Sequence, residues 1–214
     1  MKLYTYFRSS AAYRVRIALA LKGLDFEAVP VHLVRGGGEQ HQPEYRALNP
    51  AGLLPALEDG GQVLTQSLAI IEYLDETHPE PPLLPGTALD RARLRAIAQH
   101  IACEVHPLNN LRVLKYLSGT LAVDEATKKA WYHHWVGGGL AAVERLLAGD
   151  PRTGTFCHGD TPTLADLCLV PQVFNARRFD CDLSAMPTIT RIVAACEELE
   201  AFAQASPARQ PDAE

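Results

Sequence analysis

Hydrophobic and polar positions alternate in short blocks over the first third of the chain and settle into a helical period after it. Leu3 to Phe7 is a brief apolar run suited to a strand. Ser9 and Ser10 follow, then an alanine- and leucine-rich stretch that ends at Lys22-Gly23, so a capped helix is predicted between the serines and the glycine. Phe26 to Leu33 reads as a strand, and Pro30, which cannot donate to a ladder, marks it as an edge. Strand, helix and strand make a βαβ unit. Glu44 to Leu48 is a short predicted helix ahead of the turn signal Asn49-Pro50. Leu53 to Leu57 is an apolar strand interrupted by Pro55, and Glu58-Asp59-Gly60-Gly61 turns it into Val63-Leu64. Pro55 has two readings: a plain edge-strand proline, or a cis Leu54–Pro55 bond that turns the Leu54 backbone toward a peptide-like ligand. Ser67, before the apolar run Leu68 to Leu74, is the expected N-cap of another helix.

From His78 the pattern changes. Pro79, Pro81, Pro82 and Pro85 mark a linker, and everything beyond it is predicted helical. Ala88 to about Leu117 is apolar-periodic with a break at Pro107, and Glu125 to Ala148 is a second long segment closed by Asp150-Pro151. Thr163-Leu164-Ala165-Asp166 resembles a capping box that opens a buried helix through Phe174. A last helix is predicted from Pro187 to Ala203, and the polar tail 207–214 is expected to be disordered. The fold class is therefore α+β, with a mixed domain at 1–80, a linker at 81–87, an all-helical domain at 88–206 and the tail.

Composition narrows the partners. A chain of 214 residues that is 47% hydrophobic buries a substantial core, here divided between two domains. Its formal charge of −5 argues against nucleic acid and anionic membrane, so an anionic substrate needs a local arginine cluster. The five cysteines (Cys103, Cys157, Cys168, Cys181 and Cys196) are odd in number and contain no Cys-x-x-Cys pair, which reads as reduced, cytoplasmic thiols. No signal-type or 18-residue apolar run is present.

The helix that starts at Ser9 or Ser10 presents unpaired N–H groups and a partial positive charge, a setting that stabilises an anion such as a thiolate. Ser67 would offer a second such terminus to a carboxylate. Arg14 and Arg16 oppose the first helix's dipole, so they are expected either beside an acid or solvated on a domain face. Gly36-Gly37-Gly38 lacks the Lys-Ser/Thr of a phosphate loop. Cys103, Glu104, His106 and His133-His134 lack metal-ligand spacing, and there is no Gly-x-Ser-x-Gly elbow. Trp131 and Trp135, one helical turn apart, read as packing residues.

The segments SSAAYRVRIALALKG (9–23), NPAGLLPAL (49–57), QSLAIIEYLDE (66–76), HPLNNLRVLKYL (106–117), GDTPTLADLCLVPQ (159–172) and ARRF (176–179) closely resemble the zeta class of soluble glutathione transferases. That class includes the maleylacetoacetate isomerases and the bacterial maleylpyruvate isomerases. The resemblance implies a thioredoxin-like βαβ-ββα domain followed by an all-helical domain, glutathione as cofactor and a homodimer. It implies that Ser9 hydrogen-bonds the glutathione thiolate, with Ser10 beside it. Relatives usually carry cysteine at the next position, where this chain has Ala11, a departure that removes a side reaction and keeps the serine. Leu54, before the family's cis Pro55, is implied to bind the cysteinyl backbone, and Gln66 with Ser67 the γ-glutamyl carboxylate. His106 and Asn110 match positions that complete the glutathione site. The substrate's carboxylates and developing enolate need cations: Arg8, next to the thiolate site, is the first choice, and Arg178 matches the family's substrate-carboxylate arginine. Arg112 matches an arginine of the maleylpyruvate isomerases and favours the shorter acid. No cysteine precedes Cys103, so the first domain has no dithiol of its own and the sulfur must be imported. The implied activity is isomerisation of maleylacetoacetate to fumarylacetoacetate. Maleylpyruvate isomerisation, general glutathione conjugation of small electrophiles and a non-catalytic binding module of the same fold are the alternatives.

Overall fold

The first apolar run becomes strand β1 (Lys2–Thr5) in the computed structural model, which describes residues 1–214. Helix α1 (Ser10–Leu21) carries the chain to β2 (Glu27–Pro30), which pairs parallel with β1 from Lys2 opposite Glu27 to Thr5 opposite Pro30. After the short helix α2 (Pro43–Leu48), β3 (Ala56–Asp59) runs antiparallel to β1 and turns through Gly60-Gly61 into β4 (Gln62–Thr65), followed by α3 (Ser67–Thr77). The sheet order β2-β1-β3-β4 makes this a thioredoxin-like mixed sheet, with the Pro30 strand at the edge where a missing donor costs no ladder bond. The strand expected over Phe26 to Leu33 is thus shorter at both ends, and that over Leu53 to Leu57 enters the sheet only at Ala56. Leu3, Val15, Ile17, Leu19, Leu57, Ile70 and Leu74 are fully buried, each contributing about 1.5–3 kcal/mol of apolar burial.

The helical residues form a second unit, Leu84–Cys196. Helix α4 (Ala88–Gln99) starts in a capping box in which Thr87 and Asp90 satisfy each other's backbone N–H groups. A π-helical stretch, His100–Val105, leads into α5 (His106–Asn109) and α6 (Leu111–Gly119). The break expected at Pro107 falls instead at Asn110. Pro107 sits in the first turn after the widened π-helical backbone, where its missing N–H is tolerated. Asn110 is extended and caps α6 through the Arg112 N–H at 3.0 Å. Helix α7 (Glu125–Ala148), capped by Asp124, buries Tyr132, Val136, Leu140, Val143 and Leu147, a stripe at helical spacing.

Helix α8 (Leu164–Arg178) opens on Asp166, whose carboxylate accepts from the N–H groups of Cys157 and Thr163 and from the Thr163 hydroxyl, all at 2.8 Å and all buried. It continues past the expected end at Phe174 to Arg178, where cations suit a helix C-terminus. The single helix expected over Pro187 to Ala203 is two, α9 (Pro187–Glu197) and α10 (Glu200–Ala205), with Leu199 extended between them.

Residues Glu197–Glu214 belong with Met1–Leu83 in the first unit. Helix α10 lies against α1, where the Tyr13 hydroxyl donates to the Phe202 carbonyl at 3.3 Å. The tail expected to be disordered is ordered: Pro207–Arg209 forms a short 3-10 turn, Asp212 accepts from the Phe7 N–H at 3.0 Å, and Glu214 meets His32 at 3.1 Å and Arg35 at 3.3 Å. Its polar side chains satisfy main-chain and charged groups far away in sequence, which composition does not reveal. No helix is long and apolar enough to cross a membrane.

Candidate functional site

The helix that begins at the two serines is aimed by a turn. Ser9 N–H donates to the Tyr6 carbonyl at 2.9 Å, closing Tyr6–Ser9 and setting Ser9 in the extended conformation of a cap. Its Oγ accepts from the Ala12 N–H at 3.3 Å. The cap uses a lone pair, so the hydroxyl proton is available to an incoming anion. Ser9 is half-buried, whereas Ser10, the first helical residue, is 5% exposed. No acidic side chain lies in the first turn of α1 itself. Arg8 is exposed, with its guanidinium 4.6 Å from the centre of the Phe7 ring.

Arg14 and Arg16 are not on a solvated face; they are 2% and 1% exposed. Arg16 spreads its donors over the carbonyls of Ala205 (3.0 Å), Tyr6 (3.3 Å) and Phe7 (3.0 Å) and the Thr5 hydroxyl (3.0 Å). These oxygens replace water, which is how a cation is tolerated in a core. Burial lowers its pKa to about 10, against the opposing charge of Asp212, so it stays protonated at neutral pH. Arg14 donates to the Ser67 Oγ at 3.2 Å and thereby ties α1 to the start of α3.

Two further parts lie in the same unit. The Leu54–Pro55 peptide is cis, and the antiparallel register ends at Tyr4 opposite Ala56, which leaves the Leu54 backbone outside the ladder. Leu54 packs with Tyr6 and Phe7 of the turn before Ser9, and with Tyr45. The Leu53 carbonyl is gripped by the Tyr45 hydroxyl at 2.6 Å and the Asn49 amide at 2.7 Å. Burial pushes the Tyr45 phenol well above its ordinary range, so it remains a donor. Neither Tyr45 nor Asn49 was a candidate from sequence; Asn49-Pro50 signalled only a turn. At α3 the cap position belongs to Gln66, not Ser67, and Gln66 adopts a left-handed φ of 69° while exposed. Ser67 is the first helical residue, 6% exposed, and again no acid lies in the first turn. The Ser9 turn, Leu54 and the start of α3 are therefore gathered in one unit.

The remaining candidates lie in the second unit. His106 opens α5 and is half-buried, Asn110 caps α6, and Arg112 is exposed in the first turn of α6. Arg178 is exposed in the last turn of α8, with its guanidinium 4.8 Å from the Phe179 ring centre. Phe179 in turn stacks on Tyr132 at 4.0 Å. His133 is held by the Phe179 carbonyl at 2.7 Å and Trp131 by the Leu108 carbonyl at 2.8 Å, so both serve packing between helices. Trp135 departs from the packing expectation and is 39% exposed. All five cysteines are free thiols.

Residues 3–82 match the family model for the glutathione S-transferase N-terminal domain, and residues 136–205 match that for the glutathione S-transferase C-terminal domain. Maleylacetoacetate isomerase of Pseudomonas aeruginosa PAO1 is 53% identical over 213 residues, covering 99% of this chain and 98% of that protein. Among solved structures, the holo form of a maleylpyruvate isomerase, described as a bacterial zeta-class glutathione S-transferase, superposes with a TM-score of 0.97 at 51% identity over 100% of both chains. A maleylacetoacetate isomerase from Methylobacterium extorquens AM1, solved with bound malonate and glutathione, gives a TM-score of 0.96 at 43% identity over 100% of both chains.

Proposed function

The chain belongs to the glutathione S-transferase family, and from that premise we propose that it is a glutathione-dependent cis–trans isomerase of maleylacetoacetate. The observation that carries the reading is the Ser9 hydroxyl at the N-terminus of α1, with no acid in the helix's first turn, in a unit that contains no cysteine. The donor set fits the cofactor: a hydroxyl and helix N–H groups suit a thiolate, a backbone outside the ladder suits a peptide, and an acid-free α3 N-terminus suits a carboxylate. When bound, glutathione supplies a thiolate that adds reversibly to the cis carbon–carbon double bond of a conjugated dioxo acid, allowing rotation about it and return of the trans isomer.

In this reading Ser9 donates to the sulfur and holds it ionised, with Ser10 beside it and the first-turn N–H groups adding to the same effect. The Leu54 backbone, ahead of Pro55, holds the cysteinyl peptide, and Gln66 with Ser67 holds the γ-glutamyl carboxylate. His106 and Asn110 complete the cofactor's contacts. Arg8 and Arg178 receive the substrate's carboxylates and the charge that develops on its carbonyl oxygen. The first unit is then the glutathione-binding domain and the second the substrate domain, with residues 197–206, expected in the helical domain, belonging to the first. The reading includes a homodimer, testable by sedimentation, and a cytoplasmic setting in keeping with five free cysteines.

One observation favours a second reading. Arg112 is exposed at the start of α6, and the solved maleylpyruvate isomerase is as similar to this chain as the maleylacetoacetate isomerases are. Turnover of maleylpyruvate and of maleylacetoacetate by the purified protein, with and without glutathione, separates the two by kcat/KM. Glutathione-dependent turnover of either acid upholds the isomerase. Turnover of neither refutes it, and glutathione affinity then divides a general transferase from a binding module.

A further inference from the structure

The turn that aims Ser9 has charged partners on three of its main-chain groups. Arg16 donates to the carbonyls of Tyr6 and Phe7, at 3.3 and 3.0 Å, and Asp212 accepts the Phe7 N–H at 3.0 Å. The Tyr6 carbonyl is also the acceptor that fixes Ser9 N–H at 2.9 Å, so Arg16 and Ser9 share one oxygen. Arg16 is itself pinned on its other edges by Thr5 and Ala205. Asp212 is the acid whose charge opposes this buried guanidinium, and its second oxygen, Oδ1, is buried with no hydrogen-bond partner. A buried carboxylate oxygen without a partner is costly even on a half-exposed residue, and a tail residue that keeps one needs a reason.

Holding the tail down is not that reason. Phe202 and Ala205 are already buried against α1, Tyr13 donates to the Phe202 carbonyl, and Glu214 is paired with His32 and Arg35. The distinctive contact of Asp212 is with the N–H two residues before Ser9.

We propose that Asp212 is a positioning residue for the reaction: by accepting the Phe7 N–H, opposite Arg16, it fixes the Tyr6–Ser9 turn and so the direction of the Ser9 hydroxyl. The inference rests on the reading of Ser9 as the donor to the glutathione sulfur. The Ser9 hydroxyl is useful only if its proton points at the thiolate, and a displacement of the turn by a fraction of an ångström weakens that bond steeply.

The test uses Asp212→Ala and Asp212→Asn in the full chain, with Ser9→Ala in parallel. Asp212 is half-exposed and the tail has other anchors, so both variants are expected to fold. Three quantities are read: amide exchange over residues 7–12, ultraviolet titration of the bound glutathione thiolate, and kcat separately from KM. For Asp212→Ala, exchange at Phe7 to Ser9 rises and kcat falls, each about tenfold, the bound thiol titrates at higher pH, and KM stays within about twofold. Asp212→Asn keeps a neutral acceptor and restores protection and most of kcat. Loop exchange and thiol titration unchanged in Asp212→Ala, while Ser9→Ala shifts the titration, overturns the inference alone. An Asn variant no better than Ala also overturns it. A Ser9→Ala protein that titrates like wild type overturns the reading of Ser9, and the inference with it.

Discussion

Ser9→Ala removes the cap seen in the structure and, on the proposed reading, a hydrogen bond to the glutathione sulfur, and the two differ in size. The cap to the Ala12 N–H is long at 3.3 Å, so its loss should cost about 0.5–1 kcal/mol, a fall in Tm of roughly 1–4 °C for a chain of this size. The hydrogen bond to the sulfur is charge-assisted and contributes about 1.5–3 kcal/mol. At 1.36 kcal/mol per unit, its removal raises the pKa of the bound thiol by about 1–2 units. The first-turn N–H groups and the dipole remain, worth about 0.3–1 kcal/mol. The sign follows from which form loses the donor: the thiolate is destabilised, so less of it exists at neutral pH and the rising limb of the pH–rate profile moves to higher pH. Near pH 7, kcat/KM should fall about 10- to 100-fold and recover substantially above about pH 9. Ser9→Gly, which costs a cap only a few tenths of a kcal/mol, should show the same kinetic defect with a smaller Tm change. Ser10→Ala should do less, because Ser10 is 5% exposed. The assay is ultraviolet titration of bound glutathione beside initial rates across pH. An unchanged titration in Ser9→Ala, or small equal losses for Ser9→Ala and Ser10→Ala, would refute the reasoning and assign activation to the backbone N–H groups.

Arg178→Ala should raise KM for the dioxo acid about tenfold or more with glutathione affinity unchanged, and Arg112→Ala should lower kcat/KM for maleylpyruvate more than for maleylacetoacetate; steady-state kinetics on both acids checks each. Three consecutive glycines in α7 should respond differently to alanine. A Cβ on Gly139 would come within 2.3 Å of Val105 Cγ2 and 3.3 Å of both its Cβ and Cγ1, so the buried valine must leave its rotamer and the backbone must still yield slightly. Gly139→Ala should therefore lose about 1–3 kcal/mol, whereas Gly137→Ala and Gly138→Ala, which meet nothing within 4 Å, should gain up to about 1 kcal/mol by thermal melts. Asp150 accepts from the Arg152 guanidinium and backbone N–H and from Arg93 Nε at 2.8 Å, which holds its carboxyl well below the usual range. A depressed carboxylate stabilises above its unfolded pKa and loses that contribution as pH falls toward its folded one. The Tm deficit of Asp150→Asn should accordingly be full above about pH 4 and shrink toward pH 2; parallel curves would exclude the effect.

Much of this fold could be read because its local signals agree with its packing. Helix α7 carries its own cap and an unbroken buried stripe, so its ends follow from residues 124–149 alone. The strand, capping serine and helix around Ser9 were legible for the same reason, since all three are adjacent in sequence. The misreadings share a different cause. Arg14 and Arg16 carry the charge of surface residues, and what makes their burial tolerable includes the Ala205 carbonyl, 189 positions from Arg16. Ser67 was misplaced by one residue because Gln66, a poor capping type, takes the cap position by its left-handed backbone rather than by a side-chain bond. Tyr45 and Asn49 act through one carbonyl oxygen, which no side-chain pattern advertises.

The buried arginines also change how an acidic chain can bind an acidic substrate. Counting charges along the sequence, Arg8, Arg14 and Arg16 crowd the start of α1 and suggest one cationic patch. The structure divides them by solvent access. Arg14 and Arg16 turn inward, and Arg16 spends its donors on the Ala205, Tyr6 and Phe7 carbonyls and the Thr5 hydroxyl, so neither offers its guanidinium to a ligand at the surface. Arg8 alone of the three presents its guanidinium outward, braced on the Phe7 ring, while Arg178 is braced in the same manner on Phe179. Pinning a guanidinium on an aromatic face lowers the entropy lost when it meets a carboxylate, and it keeps the flat fork oriented for a bidentate grip. Lysine has neither property. Arg8→Lys and Arg178→Lys should thus behave more like the alanine variants than like wild type, even though the net charge of −5 is unchanged.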